Sequence, residues 1–150
     1  MKTNTQQRKM GEIYALLSQD LGYLHGEREG GPNGAKRVFL RTAAAFLRRL
    51  GKDLKFAEMA VRSNPGGIAV SGELWIRGMC DDNHGVYFKI SQDWSDFLPG
   101  LLYREIKSLQ DYSCGPNQWI PPSVFLEMDY QRLCNTLLEL KHEGAGTHAA

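Results

Sequence analysis

Between Gly67 and Gln92, apolar and polar positions alternate with a period of two. Ile68, Val70, Leu74 and Ile76 interleave with Ala69, Ser71, Glu73, Trp75 and Arg77, and Val86, Phe88 and Ile90 do the same with Tyr87 and Lys89. Side chains on a strand point to opposite faces in turn, so this pattern predicts two strands with one buried face and one wet face. The intervening Asp81-Asp82-Asn83-His84-Gly85 supplies the turn residues of a β-hairpin. Lys55–Arg62 predicts a preceding strand, with Ala57, Met59 and Val61 inward and Glu58 and Arg62 outward, closed by the turn Ser63–Gly67. Leu101–Ser108 predicts a fourth strand. Its outward face is assigned to Tyr103, Glu105 and Lys107, although the run Leu101-Leu102-Tyr103 blurs the alternation.

Elsewhere the apolar period is helical. Met10, Tyr14, Leu17, Leu21 and Leu24, with Ile13 beside them, predict a helix over about Thr5–Leu24, capped by Asn4 or Thr5. Phe39, Ala43, Phe46, Leu47 and Leu50 predict a second over Ala35–Leu50, stopped by Gly51. Tyr130, Leu133, Leu137 and Leu140, joined by Cys134 and Leu138, predict a last helix over Tyr130–Lys141, capped by Asp129 and preceded by a short turn at Ser123–Met128. Asp93–Gly100 reads as a loop carrying Trp94, Phe97 and Leu98 inward, Gln110–Pro122 as irregular chain, and residues 143–150 as a frayed tail. The order α-α-β-β-β-β-α predicts a single α+β domain over residues 1–150. It is a two-layer sandwich: a four-stranded antiparallel meander with three helices on one face.

Composition narrows the picture little. The 150 residues carry an ordinary apolar and charged content, so neither a disordered nor a fibrous chain is indicated. No apolar run reaches membrane-spanning length, the first residues lack the apolar stretch of a signal peptide, and three scattered cysteines suit a reducing compartment. The expected location is cytoplasmic, with no membrane partner. Charge changes the picture more. The formal net charge is only +1, yet Lys36–Arg62 holds eight bases against two acids, and the chain from Asp93 onward holds eight acids against four bases.

Two surfaces follow as candidates. Arg37, Arg41, Arg48 and Lys52 are separated by four, seven and four residues, which returns to nearly one bearing on a 3.6-residue helix. Such a stripe suits phosphates or an acidic protein surface, and arginine favours bidentate contacts. The outward sheet face is the second: Arg62, Trp75, Arg77, Tyr87, Lys89 and Tyr103 mix rings with cations, as single-stranded nucleic acid requires. Cross-strand pairing with Glu58, Glu73 and Glu105 accounts for the same residues without a ligand.

Catalytic and metal chemistry find little footing. The glycine-rich Gly26–Arg37 has Glu29 where a phosphate-binding P-loop needs glycine, and Ala35 where it needs lysine. Cys80, Asp81, Asp82 and His84 fit turn chemistry better than metal ligation, and Cys114 stands without a recognised base. No metal and no cofactor are expected. In element order the segment from the second helix through the strands to the last helix is similar to double-stranded RNA-binding domains. Ser63–Gly67 lacks their Gly-Pro-x-His loop and Asp129–Leu133 lacks their basic helix start, so no family is assigned. The leading expectation is a non-enzymatic adaptor that engages an acidic protein or nucleic acid through the basic helix. The alternative is a nucleic-acid-binding module using the sheet face, and an enzyme ranks third. Small size and near-neutral charge also suit an accessory protein of a mobile element.

Overall fold

A computed structural model describes residues 2–17, 35–64, 73–91, 101–112 and 115–149. The expectations for Leu21, Leu24, the connector before Ala35, the Ser63–Gly67 turn beyond Asn64, Ile68, Val70, the segment around Trp94, and Cys114 lie outside the described residues. The elements are α1 (Lys2–Leu17), α2 (Ala35–Asp53), β1 (Glu58–Asn64), β2 (Glu73–Met79), β3 (Gly85–Ser91), β4 (Leu101–Ile106), β5 (Gln118–Ile120), α3 (Pro122–Glu127) and α4 (Tyr130–Ala149).

The chain is α+β, with an antiparallel sheet in the order β1-β2-β3-β4-β5. It holds five described strands and four described helices rather than four and three. The added strand, β5, is three residues long and pairs Leu101 with Ile120 and Tyr103 with Gln118. So short an edge strand has no room to establish alternation, which is why the sequence reads as irregular there. The added helix, α3, occupies the expected short turn, with Pro122 at its start. α4 continues as helix to Ala149, through the segment expected to fray.

α2 packs on β1 and β2, α4 packs on β3 and β4, and α1 lies against α2, α3 and α4. Leu74, Ile76, Val86, Phe88 and Ile90 are buried beneath these helices, with Phe39, Ala43, Phe46, Leu47 and Leu50 of α2 and Leu133, Leu137 and Leu140 of α4. The period-two and period-3.6 patterns therefore meet in one core. Phe46 sits at its centre, edge-on to Phe125 at 6.4 Å and to Tyr130 at 6.0 Å between ring centroids.

α1 begins at Lys2, ahead of the expected caps, and its buried side runs through Gln6, Met10 and Ile13. The polar member has a reason. Gln6 Nε2 donates to the Phe46 carbonyl at 3.1 Å. The neighbouring Gln7 donates to the Met128 carbonyl and accepts from the Tyr130 N–H. Two glutamines thus hold α1 to α2 and to the start of α4. A polar-versus-apolar reading passes over them.

α2 does not stop at Gly51. A Cβ there would lie 2.3 Å from Met59 Sδ and 2.8 Å from Ile76 Cδ1, so the glycine permits close approach of helix and sheet rather than termination. The helix ends instead in a Schellman motif: Phe56 N–H bonds the Gly51 carbonyl and Lys55 N–H bonds the Lys52 carbonyl. Lys55 takes the left-handed conformation this requires, with φ of 59°. Relief of the steric cost of a left-handed side chain exceeds the entropy that glycine adds to the unfolded chain, so Lys55→Gly is expected to stabilise by about 0.5–1 kcal/mol. A urea titration checks this, and a lowered midpoint contradicts it.

A polar tie joins α4 to α2 among the described residues. Tyr130 is buried, and its hydroxyl donates to Asp53 Oδ2 at 2.6 Å, while Arg49 meets the same carboxylate at 3.0 Å. Burial first, and then the Asp53 carboxylate, push the Tyr130 phenol well above its ordinary value of 10.0. A group whose folded pKa is raised contributes stability that is whole below its unfolded pKa and drains away as pH rises past it. Stability should therefore fall above pH 10.0, the phenol's ordinary value, by up to about 1.4 kcal/mol per pH unit for this one proton. Tyr130→Phe should flatten that alkaline decline, and identical slopes for the two proteins would refute the assignment. The predicted cap at Asp129 is present: its Oδ1 accepts from the Arg132 N–H at 2.7 Å.

Candidate functional site

Every third or fourth position of α2 is committed to the core, and the helix therefore turns its remaining side outward. Arg37, Arg41, Arg48 and Lys52 are all exposed, and none is ion-paired among the described residues. Arg49, one residue off the stripe, behaves differently: Nε and Nη2 hold Asp53 at 3.2 and 3.0 Å. With a rise of 1.5 Å per residue, the four cations extend over roughly 22 Å of helix. Ala44 and Ala45 lie just to either side of this arc and are only partly exposed.

The outer face of the sheet departs from expectation. Register places Ala60, Arg77, Tyr87 and Arg104 in one row across β1–β4, and Arg62, Trp75, Lys89, Leu102 and Trp119 in the next across β1–β5. Tyr103 pairs with Phe88 and packs against the main core, so it faces the helices, contrary to the outward assignment. Glu105, expected outward with it, is buried opposite Val86. A one-residue slip exchanges the two faces of a strand, and the leucines of β4 fit either one.

The outward row is also not an open platform. Arg77 and Tyr87 are each only 9 % exposed. Met79, Tyr87 and Ile106 form a second buried cluster, with Trp75, Leu102 and Leu109 packed against it. The segment after β4 folds back over this face. Leu109 joins the cluster, and the Asp111 carbonyl accepts from Arg77 at 2.8 Å and from Arg104 at 3.4 Å. Asp111 Oδ2 accepts the Lys107 N–H at 2.9 Å, which closes the turn. The Arg77 guanidinium lies against two rings, 4.7 Å from the Tyr87 centroid and 4.3 Å from that of Tyr112, and Arg104 lies 5.3 Å from Tyr87. Burial pushes the Tyr87 phenol up, against the pull of Arg77. Of the remaining expected residues, Arg62 is exposed, Trp75 is half-buried, and Lys89 is ion-paired to Glu73 at 3.5 Å.

Beside this stack opens a cleft of about 510 Å³, lined by Arg77, Tyr87, Leu102, Arg104, Tyr112 and Asn117. Arg104, Asp111 and Tyr112 escaped the sequence reading. Their one legible signal is Leu109, an apolar residue in an otherwise polar run, which marks a segment that folds back onto apolar surface.

At the hairpin, Asp81 Oδ1 accepts the N–H groups of Asn83 and His84, both at 2.9 Å, and lies 3.2 Å from His84 Nδ1. These are turn-closing contacts. Among the described residues no group of three or more His, Cys, Asp or Glu side chains is placed to hold a metal ion, and no helix is long and apolar enough to cross a membrane. Comparison with protein families, with curated proteins and with solved structures finds no match to this chain.

Proposed function

We propose that the protein is a non-enzymatic adaptor that engages an acidic partner, protein or nucleic acid, through the outer side of α2. The reading takes helices and sheet as two layers and the cytoplasm as the place of action. One observation carries it: Arg37, Arg41, Arg48 and Lys52 are exposed along one side of a helix, with no carboxylate partner among the described residues. Solvated cations at such spacing present a linear positive field, which both steers an anionic partner and fixes its register. The contrast with Arg49 matters, because a neighbouring arginine already satisfied by Asp53 shows what a purely structural cation looks like here.

A pull-down from the source cells with tagged wild-type protein, repeated with Arg41→Glu/Arg48→Glu, tests the reading. Partners recovered by the wild type should be lost by the variant, while its far-ultraviolet circular dichroism is unchanged. Equal recovery removes the proposal.

A further inference from the structure

We propose that the cleft lined by Arg77, Tyr87, Leu102, Arg104, Tyr112 and Asn117 is a binding site for a nucleotide-sized phosphomonoester. The phosphate would lie against Arg77 and Arg104, and a planar ring on Tyr112.

Two guanidiniums, 9 % and 8 % exposed, line one cleft and donate to one carbonyl oxygen, that of Asp111. A buried guanidinium beside another costs free energy unless something offsets its charge. Arg77 has no carboxylate within ion-pair distance among the described residues, and its partners are a neutral carbonyl and two ring faces. With two rings against it and one N–H on the Asp111 carbonyl, the guanidinium keeps further N–H donors, arranged as a fork suited to oxyanions. A planar carboxylate matches one fork. A tetrahedral phosphate, with three terminal oxygens at different angles, can accept from two forks at once.

The rest of the cleft describes the ligand's body. Its volume of about 510 Å³ lies within the range of small-molecule sites. Leu102 supplies an apolar wall and Asn117 an amide at the rim. Tyr112 is 72 % exposed although Arg77 covers one of its faces, so the opposite face is open to stack a planar ring. A cation behind a stacking ring and an anion beside that cation fit one molecule that carries a ring and a phosphate. This site is on the opposite side of the sheet from the helices and is independent of the reading of α2.

Isothermal titration of the full chain with adenosine monophosphate, adenosine and inorganic phosphate separates the parts. The monophosphate should bind, phosphate should bind at least about tenfold more weakly, and adenosine should not bind detectably. Tyr112→Ala, at an exposed position, should weaken the monophosphate about tenfold and inorganic phosphate much less, because the stacking ring is removed while both guanidiniums remain. Arg77→Lys keeps the charge but loses the fork, and should abolish both. No heat from the monophosphate at millimolar concentration, or equal affinity in wild type and Tyr112→Ala, overturns the proposal. So does binding of an oligonucleotide when the mononucleotide fails, which would mark an extended strand-binding surface instead.

Discussion

The Arg41→Glu/Arg48→Glu protein should bind a labelled polyanion at least about tenfold more weakly than wild type at physiological salt, with its thermal midpoint essentially unmoved. Both positions are exposed and unpaired among the described residues, so the folded state loses no contact when they change. Surface substitutions away from caps, networks and the core usually alter stability by no more than about 0.5 kcal/mol. The effect on binding is of another size. Each reversal removes one attraction and adds one repulsion on a stripe of only four cations, leaving it close to neutral. Because the contacts are solvated, added salt should weaken the wild type steeply and the variant hardly at all. Fluorescence anisotropy with a labelled duplex oligonucleotide and with a polyglutamate peptide reads both. A variant that matches the wild type with both probes would place binding elsewhere on the molecule.

Phe46→Ala should be the most damaging single truncation of the core, at about 3–5 kcal/mol. The side chain is fully buried and meets Phe125 of α3 and Tyr130 of α4 edge-on, so its loss loosens three helices together. Each edge-on pair adds about 0.5–1.5 kcal/mol beyond area burial, and the Gln6 bond to the Phe46 carbonyl limits how far α2 can shift to close the void. Against a total stability of about 5–15 kcal/mol, that is a large fraction. A urea midpoint lowered by roughly 2 M would agree, given slopes of about 1–3 kcal/mol per molar for small proteins. A loss below about 1 kcal/mol would show that the neighbouring helices pack independently of this ring.

Periodicity served the helices and the central strands well. Met10, Phe39, Phe46, Phe88 and Leu137 all lie in the core that their spacing indicates, because burial of one face is the cause of the pattern. It failed where other forces act. Gly51 carries the sequence mark of a helix stop but serves close packing, and the real stop uses Lys55, whose backbone conformation a lysine does not advertise. β4 carries leucines suited to either face, so its register was not legible, and Tyr103 was assigned to the wrong side of the sheet. The α2 stripe was legible because exposed cations on one helix bearing follow from local geometry alone. The Arg77–Arg104 cleft was not, since Asp111 and Tyr112 reach it through a loop that doubles back from a distance in sequence.

The α2 claim is met most directly by following arginine Nε–Hε resonances while a polyglutamate peptide or a short duplex is added to isotope-labelled protein. The signals of Arg37, Arg41 and Arg48 should move together and saturate, while that of Arg49, already held by Asp53, stays in place. Shifts confined to other arginines, or none with either probe, would contradict the account.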